Sequence, residues 1–106
     1  MDVRVVKAIG QLKSKEEAVL ATIVATHGST PRKAGSQAIF FCDGRIIGTI
    51  GGGYGEAEVS QHALSMVSSG KPAMIRIDLT HEMAENDGMI CGGTMDIFLE
   101  PLNSKR

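Results

Sequence analysis

Cysteine is scarce in this chain of 106 residues, and so is any excess of one charge. Only Cys42 and Cys91 are present, too few for the disulfide framework of a small secreted domain and without the paired spacing of a structural zinc site. The 11 Lys and Arg residues are scattered among 12 Asp and Glu residues, for a net charge of −1. Nucleic-acid-binding proteins usually carry a basic patch. The balance of charges therefore argues against a nucleic-acid partner.

Long apolar runs are also missing. Residues 1–15 contain five charged residues and offer no apolar core for a secretory signal. The longest uncharged run, residues 18–31, is too short and too polar to cross a bilayer, which needs about 20 apolar residues. We therefore expect a cytoplasmic protein that does not act at a membrane.

What the sequence does contain fits one small globular domain with an unusual amount of glycine. The hydrophobic fraction of 42% and the charged fraction of 22% are ordinary for a soluble fold. Eleven of the 13 glycines fall within residues 28–55 and 88–93. Clustered glycine indicates tight turns or a backbone that approaches a ligand closely, so we expect the functional residues in these two stretches.

Hydrophobic periodicity predicts an α/β fold, with one mixed sheet of about five strands and two packed helices. The predicted order is a helix at 2–15, strands at 18–26, 37–42 and 45–50, a helix that follows Gly51-Gly52-Gly53 and ends at Ser69, and strands at 73–79 and 94–100. Within the first helix, Val5, Ile9 and Leu12 share a face. The dipeptide Asp43-Gly44 predicts a two-residue type I′ hairpin turn. Pro101 is expected to end the last strand.

Three glycine-rich segments, at residues 27–32, 48–58 and 87–93, connect these elements. The middle segment places Gly51-Gly52-Gly53 before a helix, an arrangement whose backbone N–H groups and positive helix end can bind an anion. It matches neither the Rossmann fingerprint nor the P-loop. The alternative is that the glycines let the helix pack on the sheet, while Glu56 and Glu58 complement the helix dipole.

Two cysteines and three histidines are candidates for chemistry. Cys91 precedes Gly92-Gly93, whose N–H groups can stabilise a thiolate that binds a soft metal or acts as a nucleophile; the alternative is a buried cysteine that packs as an apolar residue. We interpret Cys42 as structural. His27 ends the first strand and can serve as an acid or base or as a structural histidine. His62 and His81 lack the spacing of a zinc enzyme.

Arg32, held in the first glycine-rich segment by Pro31, is a further candidate. A guanidinium at this position can pair bidentately with a phosphate or a carboxylate. A solvated surface arginine is the alternative.

Three motifs in this order resemble the XdhC/CoxI family of accessory proteins. They are GSTPRKAG at 28–35, GTIGGG at 48–53 with Glu56 shortly after, and DGMICGG at 87–93 before a strand that ends in Glu100-Pro101. The resemblance implies an accessory protein that binds the molybdenum cofactor and aids its delivery to a molybdenum hydroxylase such as xanthine dehydrogenase. It favours a cofactor-insertion accessory factor over a catalyst and leaves the question of enzymatic activity open.

The resemblance and the residue chemistry together imply one cofactor site with Cys91 as its metal ligand. Its residues would be Gly28, Ser29, Arg32, Gly51, Gly52, Gly53, Glu56, Cys91, Gly92 and Gly93. Tyr54-Gly55 stands where many relatives have a cysteine and an aliphatic residue, so a thiol at that point is missing.

The resemblance covers only the family's first domain, over residues 1–106, without the Rossmann-like second domain common among its members. The expected partners are the hydroxylase apoenzyme, a separate Rossmann-domain chain and, through exposed strand edges, a second copy. Two other functions stay open. One is a small enzyme in which Cys91 or His27 acts on a phosphorylated small molecule, and the other is a module that only binds protein.

Overall fold

The structure is a computed structural model that describes residues 3–12, 16–51, 53–79 and 92–103, apart from the side chains of Tyr54 and Asn103. Its elements in chain order are α1 (Val3–Gly10), β1 (Glu17–His27), β2 (Gln37–Phe41), β3 (Ile46–Gly48), α2 (Gly53–Ser69), β4 (Ala73–Asp78) and β5 (Thr94–Asn103). The predicted small α/β domain with five strands and two helices is confirmed. In the part of the chain that the structure describes, no helix is long and apolar enough to span a membrane.

The five strands form one sheet in the order β3-β2-β1-β5-β4. All four strand pairings are antiparallel, where the sequence predicted a mixed sheet. A parallel pair needs a crossover between neighbouring strands. Here α2 leads from β3 at one edge to β4 at the opposite edge, so the strands on either side of this helix do not pair. The sheet is therefore antiparallel.

The two helices cover opposite faces of the sheet. The α2 face buries Val59, Ala63 and Met66 against a cluster that includes Val19, Ala21, Ile23, Ile97 and Leu99. The α1 face buries Val5 and Ala8 against a second cluster that includes Ala18, Leu20, Ile39 and Phe41. Because β1 contributes residues to both clusters, it is a central strand that is buried on both sides.

Several element ends differ from the prediction. The strand β5 continues past Pro101, which pairs with Val19, to Asn103. Its pairing with β4 stops at Leu99, so Pro101 lies where β5 has a strand on one side only, and a sheet tolerates a missing N–H there. Likewise β3 is shorter than predicted, because Ile50 leaves the sheet and enters the core under α2.

The hairpin between β2 and β3 forms where predicted but with a different turn. The Gly44 N–H donates to the Phe41 carbonyl oxygen at 3.0 Å, and the Phe41 N–H donates to the Arg45 carbonyl oxygen at 2.9 Å. This pattern encloses three residues, 42–44, rather than two, and Gly44 has a φ of +99°. It is the three-residue loop that places a glycine in the left-handed region.

Helix α1 ends at Gly10, earlier than the predicted residue 15; residues 13–15 lie outside the described part of the chain. Glycine at this point ends the helix because it is a poor helix former. Val5 is buried as predicted, whereas Ile9 is 39% exposed and Ala8 takes its place against the sheet.

Candidate functional site

The first and third glycine-rich segments meet at the end of β1. A Cβ added to Gly93 would overlap the carbonyl oxygen of His27 and lie 2.7 Å from that of Ser29. A Cβ added to Gly28 would lie 3.1 Å from the Cα of Gly93. The two backbones approach so closely that only glycine fits at residue 93 without movement. A Cβ added to the neighbouring Gly92 would have no atom of the described part of the chain within 4 Å.

The second glycine-rich segment joins the first through Gly51 and Pro31. Gly51 has a φ of +120°, and a Cβ added there would lie 2.5 Å from the Cγ of Pro31. Pro31 follows the loop that touches Gly93. The three segments predicted to be functional, which are widely separated in sequence, therefore form one continuous junction, which we call the glycine junction: Gly28, Ser29, Pro31, Gly51, Gly92 and Gly93.

Glu56 shapes the turn before α2. Its Oε2 accepts hydrogen bonds from the Thr49 hydroxyl at 2.8 Å and from the Ile50 N–H at 3.3 Å. The Gly51 N–H in turn donates to the Thr49 hydroxyl at 3.0 Å. The expectation that this turn presents unblocked N–H groups is therefore wrong for Gly51. One carboxylate oxygen of Glu56 is likewise engaged within the turn.

Arg32 lines an open cavity of about 480 Å³ beside the junction. The other lining residues are Arg4, Ala34, Gly35, Ser36, Gln37 and Thr49. Two arginines from distant segments thus line the same space, and none of the described residues that line it is acidic. Sequence reasoning missed Arg4, because its only visible context was the exposed side of an amphipathic helix.

A cluster of His27, Asp96 and Arg76 lies on the face of the sheet opposite α2. Residue pairing shifts by one between Ile23 and Ala25, and this bulge moves His27 to the face that carries Asp96. The His27 Nε2 is 3.7 Å from the Asp96 Oδ2. Arg76 donates to the two Asp96 oxygens at 2.7 Å and 3.1 Å. The side chain of His27 is 62% exposed, and its contact with Asp96 is compatible with both the acid–base and the structural interpretation of this histidine.

The hydrogen bonds from Arg76 lower the pKa of Asp96 below its usual value of 3.8, and the charges of Arg76 and His27 act in the same direction. A carboxyl whose pKa is lower in the folded than in the unfolded state stabilises the fold above its unfolded pKa, and this stabilisation disappears as the pH falls through the folded pKa. We expect Asp96→Asn and Arg76→Gln each to flatten the fall in stability below about pH 4. Urea unfolding at several pH values across that range would measure the free energy of unfolding. If this free energy falls with pH as steeply in both variants as in the wild type, the stabilising role of the Arg76–Asp96 pair is contradicted.

Cys42 lies at the opposite end of β1 from the glycine junction. Its N–H donates to the Glu17 carbonyl oxygen at 3.2 Å, and the 11 residues of β1 separate Glu17 from His27 by about 30 Å. Burial raises the pKa of the Cys42 thiol, and the charges of Glu17 and Asp43 raise it further. This placement keeps Cys42 out of the site.

Three of the predicted residues cannot be placed against this geometry. Gly52, His81 and Cys91 lie outside the described residues. His62 is exposed on α2, beside a small cavity that Gln61 and Ser65 also line.

Comparison with known proteins identifies the family. The model of the XdhC and CoxI family matches residues 11–78. This chain belongs to the XdhC and CoxI family. The matched stretch contains the first two glycine-rich motifs, and the third follows it.

Two relatives and one solved structure are similar to this chain over a longer stretch than the family model. It is 34% identical over 97 residues to a probable xanthine dehydrogenase subunit of Bacillus subtilis (strain 168), covering 90% of this chain and 29% of the relative. It is 34% identical over 97 residues to the molybdenum cofactor insertion chaperone PaoD of Escherichia coli (strain K12), covering 92% of this chain and 30% of the relative. A crystal structure of a xanthine dehydrogenase from Bacillus halodurans has a TM-score of 0.80 and 28% identity, covering 95% of this chain and 30% of that one.

The chain thus spans less than a third of the length of each of these proteins. The names of the two relatives refer to xanthine dehydrogenase and to insertion of the molybdenum cofactor.

Proposed function

We propose that this chain binds the molybdenum cofactor and aids its delivery to a molybdenum hydroxylase such as xanthine dehydrogenase. The observation that supports this most is the glycine junction, where the first glycine-rich segment contacts the third through Gly28 and Gly93 and the second through Pro31 and Gly51. Close contact of this kind brings loops together at the end of a sheet, where binding residues usually lie. A relative named as a molybdenum cofactor insertion chaperone supports the same function.

The residues at the junction suit the chemistry of the cofactor. Molybdopterin carries a phosphate, which a guanidinium can bind, and a dithiolene-bound metal, which a soft thiolate can ligate. Arg32 lines the cavity beside the junction, and Cys91 directly precedes Gly92 in the sequence. We therefore assign Arg32 to the anionic end of the cofactor and Cys91 to its metal. In this function the cofactor would be cargo: it would supply molybdenum to the hydroxylase, and the residues of this chain would hold it until transfer.

Copurification tests this function. The chain would be expressed in a host that makes the molybdenum cofactor, and molybdenum and pterin would be measured per chain after purification. Transfer would then be tested by adding the loaded chain to a cofactor-free hydroxylase and measuring the activity that appears. A loaded chain that activates the apoenzyme supports delivery, whereas an empty chain contradicts cofactor binding.

Replacing Arg32 with alanine should lower cofactor retention by roughly tenfold, since a hydrogen bond to a charged group contributes about 1.5 kcal/mol. Lys33→Ala is the matched control, because Lys33 is an exposed neighbouring cation that does not line the cavity. Equal retention by the Arg32 and Lys33 variants would show that Arg32 is a solvated surface residue.

A further inference from the structure

The cavity beside the glycine junction is lined by two arginines, of which Arg32 lies in the first family motif and Arg4 lies in none of the three. Arg32 comes from the loop after β1, whereas Arg4 comes from α1, and both line the same space of about 480 Å³. This volume lies within the usual range for pockets that hold small molecules, about 300 to 1,000 Å³. Helix α1 therefore supplies a wall of the site in addition to covering the sheet.

We propose that this cavity binds a phosphate monoester, with Arg4 and Arg32 as its two cationic ligands. A phosphate monoester carries close to two negative charges near neutral pH, and the two guanidiniums match that charge. Each guanidinium presents a planar set of N–H donors that pairs with phosphate oxygens. This inference rests on the proposed function for the identity of the ligand, which would be the phosphate-bearing end of the molybdenum cofactor.

The neutral polar groups of the cavity have different roles. The Thr49 hydroxyl donates to Glu56 and accepts the Gly51 N–H, so Thr49 shapes the wall and links the cavity to the glycine junction. The Gln37 amide nitrogen donates to the Thr22 hydroxyl at 3.1 Å, which ties the floor of the cavity to β1. An anion in the cavity is therefore expected to rely on the guanidiniums, each of which has five N–H donors to share among its partners.

The position of the cavity connects it to the rest of the site. Pro31, which packs on Gly51, immediately precedes Arg32, and Thr49 borders the cavity while bonding to Gly51. A ligand with its phosphate between Arg4 and Arg32 would thus adjoin the junction of the three motifs. Inorganic phosphate is shorter than such a ligand, so it probes the arginine pair separately from the rest of the site.

The test is a titration of the purified chain with inorganic phosphate, in which backbone amide NMR shifts are measured at each step. Chloride keeps the ionic strength constant, and a titration with chloride alone is the reference. Arg4→Gln and Arg32→Gln should each weaken phosphate binding by about tenfold. Two matched controls, Lys7→Gln on α1 and Lys33→Gln on the loop, each remove one positive charge from the same segment as an arginine. Neither lysine lines the cavity. Both controls should bind phosphate as the wild type does.

Two phosphate results would overturn the inference. One is equal phosphate binding by the wild type and both arginine variants. The other is a loss in the lysine controls as large as that in the arginine variants, which would show a diffuse charge effect. Spectra of the unliganded variants establish that each is folded.

Cofactor retention separates failure of the inference from failure of the proposed function. A wild type that binds phosphate but never retains molybdenum and pterin contradicts the proposed function and leaves the arginine pair as a phosphate site. A wild type that retains the cofactor while Arg4→Gln retains it equally contradicts the inference and leaves the proposed function intact. Loss of both phosphate and cofactor in Arg4→Gln supports both.

Discussion

Gly93→Ala should lower the free energy of unfolding by about 3 kcal/mol, the upper part of the range for overpacking a tightly filled position. Gly93 is buried, and a Cβ there would overlap the His27 carbonyl oxygen. It would also lie 2.7 Å from the carbonyl oxygen of Ser29 and 2.9 Å from its backbone nitrogen. Backbone atoms cannot rotate away as a flexible side chain can. Relief therefore requires β5 and the loop after β1 to separate.

Gly92→Ala is the matched control for this result. It adds the same methyl group one residue earlier, where no atom of the described residues lies within 4 Å of the new Cβ. Its stability should stay within about 0.5 kcal/mol of the wild type, as for most exposed substitutions. Urea unfolding of the three proteins measures the difference, and equal stabilities for the two variants would contradict the backbone contact at Gly93.

The Gly93 variant also bears on the function. If the glycine junction holds the cofactor-binding loops together, a folded Gly93→Ala chain should retain less molybdenum than the Gly92→Ala chain. Full retention by a destabilised Gly93 variant would mean that contact between the first and third motifs serves the fold alone.

Cys91→Ser should reduce molybdenum retention at least tenfold, because even loss of a group that only orients a metal ligand typically costs about 10- to 100-fold in affinity. Serine keeps the size of cysteine but replaces the soft sulfur donor with a hard hydroxyl. Cys42→Ser is the control, since Cys42 lies at the opposite end of β1 and is the other cysteine of the chain. Equal retention by the wild type and Cys91→Ser would exclude Cys91 as the metal ligand.

Alkylation supplies a second readout that needs no cofactor. The raised pKa of Cys42 leaves little thiolate near neutral pH, and the thiolate is the reactive form. Iodoacetamide should therefore label Cys91 faster than Cys42, as measured by mass spectrometry of the separated peptides. Faster labelling of Cys42 would contradict an activated thiolate at Cys91, independently of the retention result.

The same variants distinguish the proposed function from the two alternatives. A thiol enzyme would turn over a phosphorylated substrate with isolated protein and lose that activity in Cys91→Ser. A module that binds only protein would bind the apoenzyme equally well with Cys91→Ser and Arg32→Ala. The proposed carrier should show no turnover and should deliver less molybdenum in both variants.

The sequence by itself determined which residues form most elements and which side of each is buried. The strand predicted at 73–79, for example, has apolar residues at every second position, and these residues, Ile75, Ile77 and Leu79, pack in the core under α2. These predictions succeeded because the periods of strands and helices are local properties of the chain. The three glycine-rich motifs were also visible in the sequence, and the family that they indicated is the one whose model matches residues 11–78.

Only the tertiary structure decided how those elements meet. The bulge between Ile23 and Ala25 moves His27 to the face of Asp96, and no alternation pattern marks a bulge that depends on pairing with another strand. Arg4 reaches the cavity of Arg32 because α1 packs beside β2 and β3, and Pro101 stays in its strand because β4 ends before it. Each of these depends on contacts between residues far apart in the chain, whose geometry is set by the packing of the whole sheet rather than by local spacing.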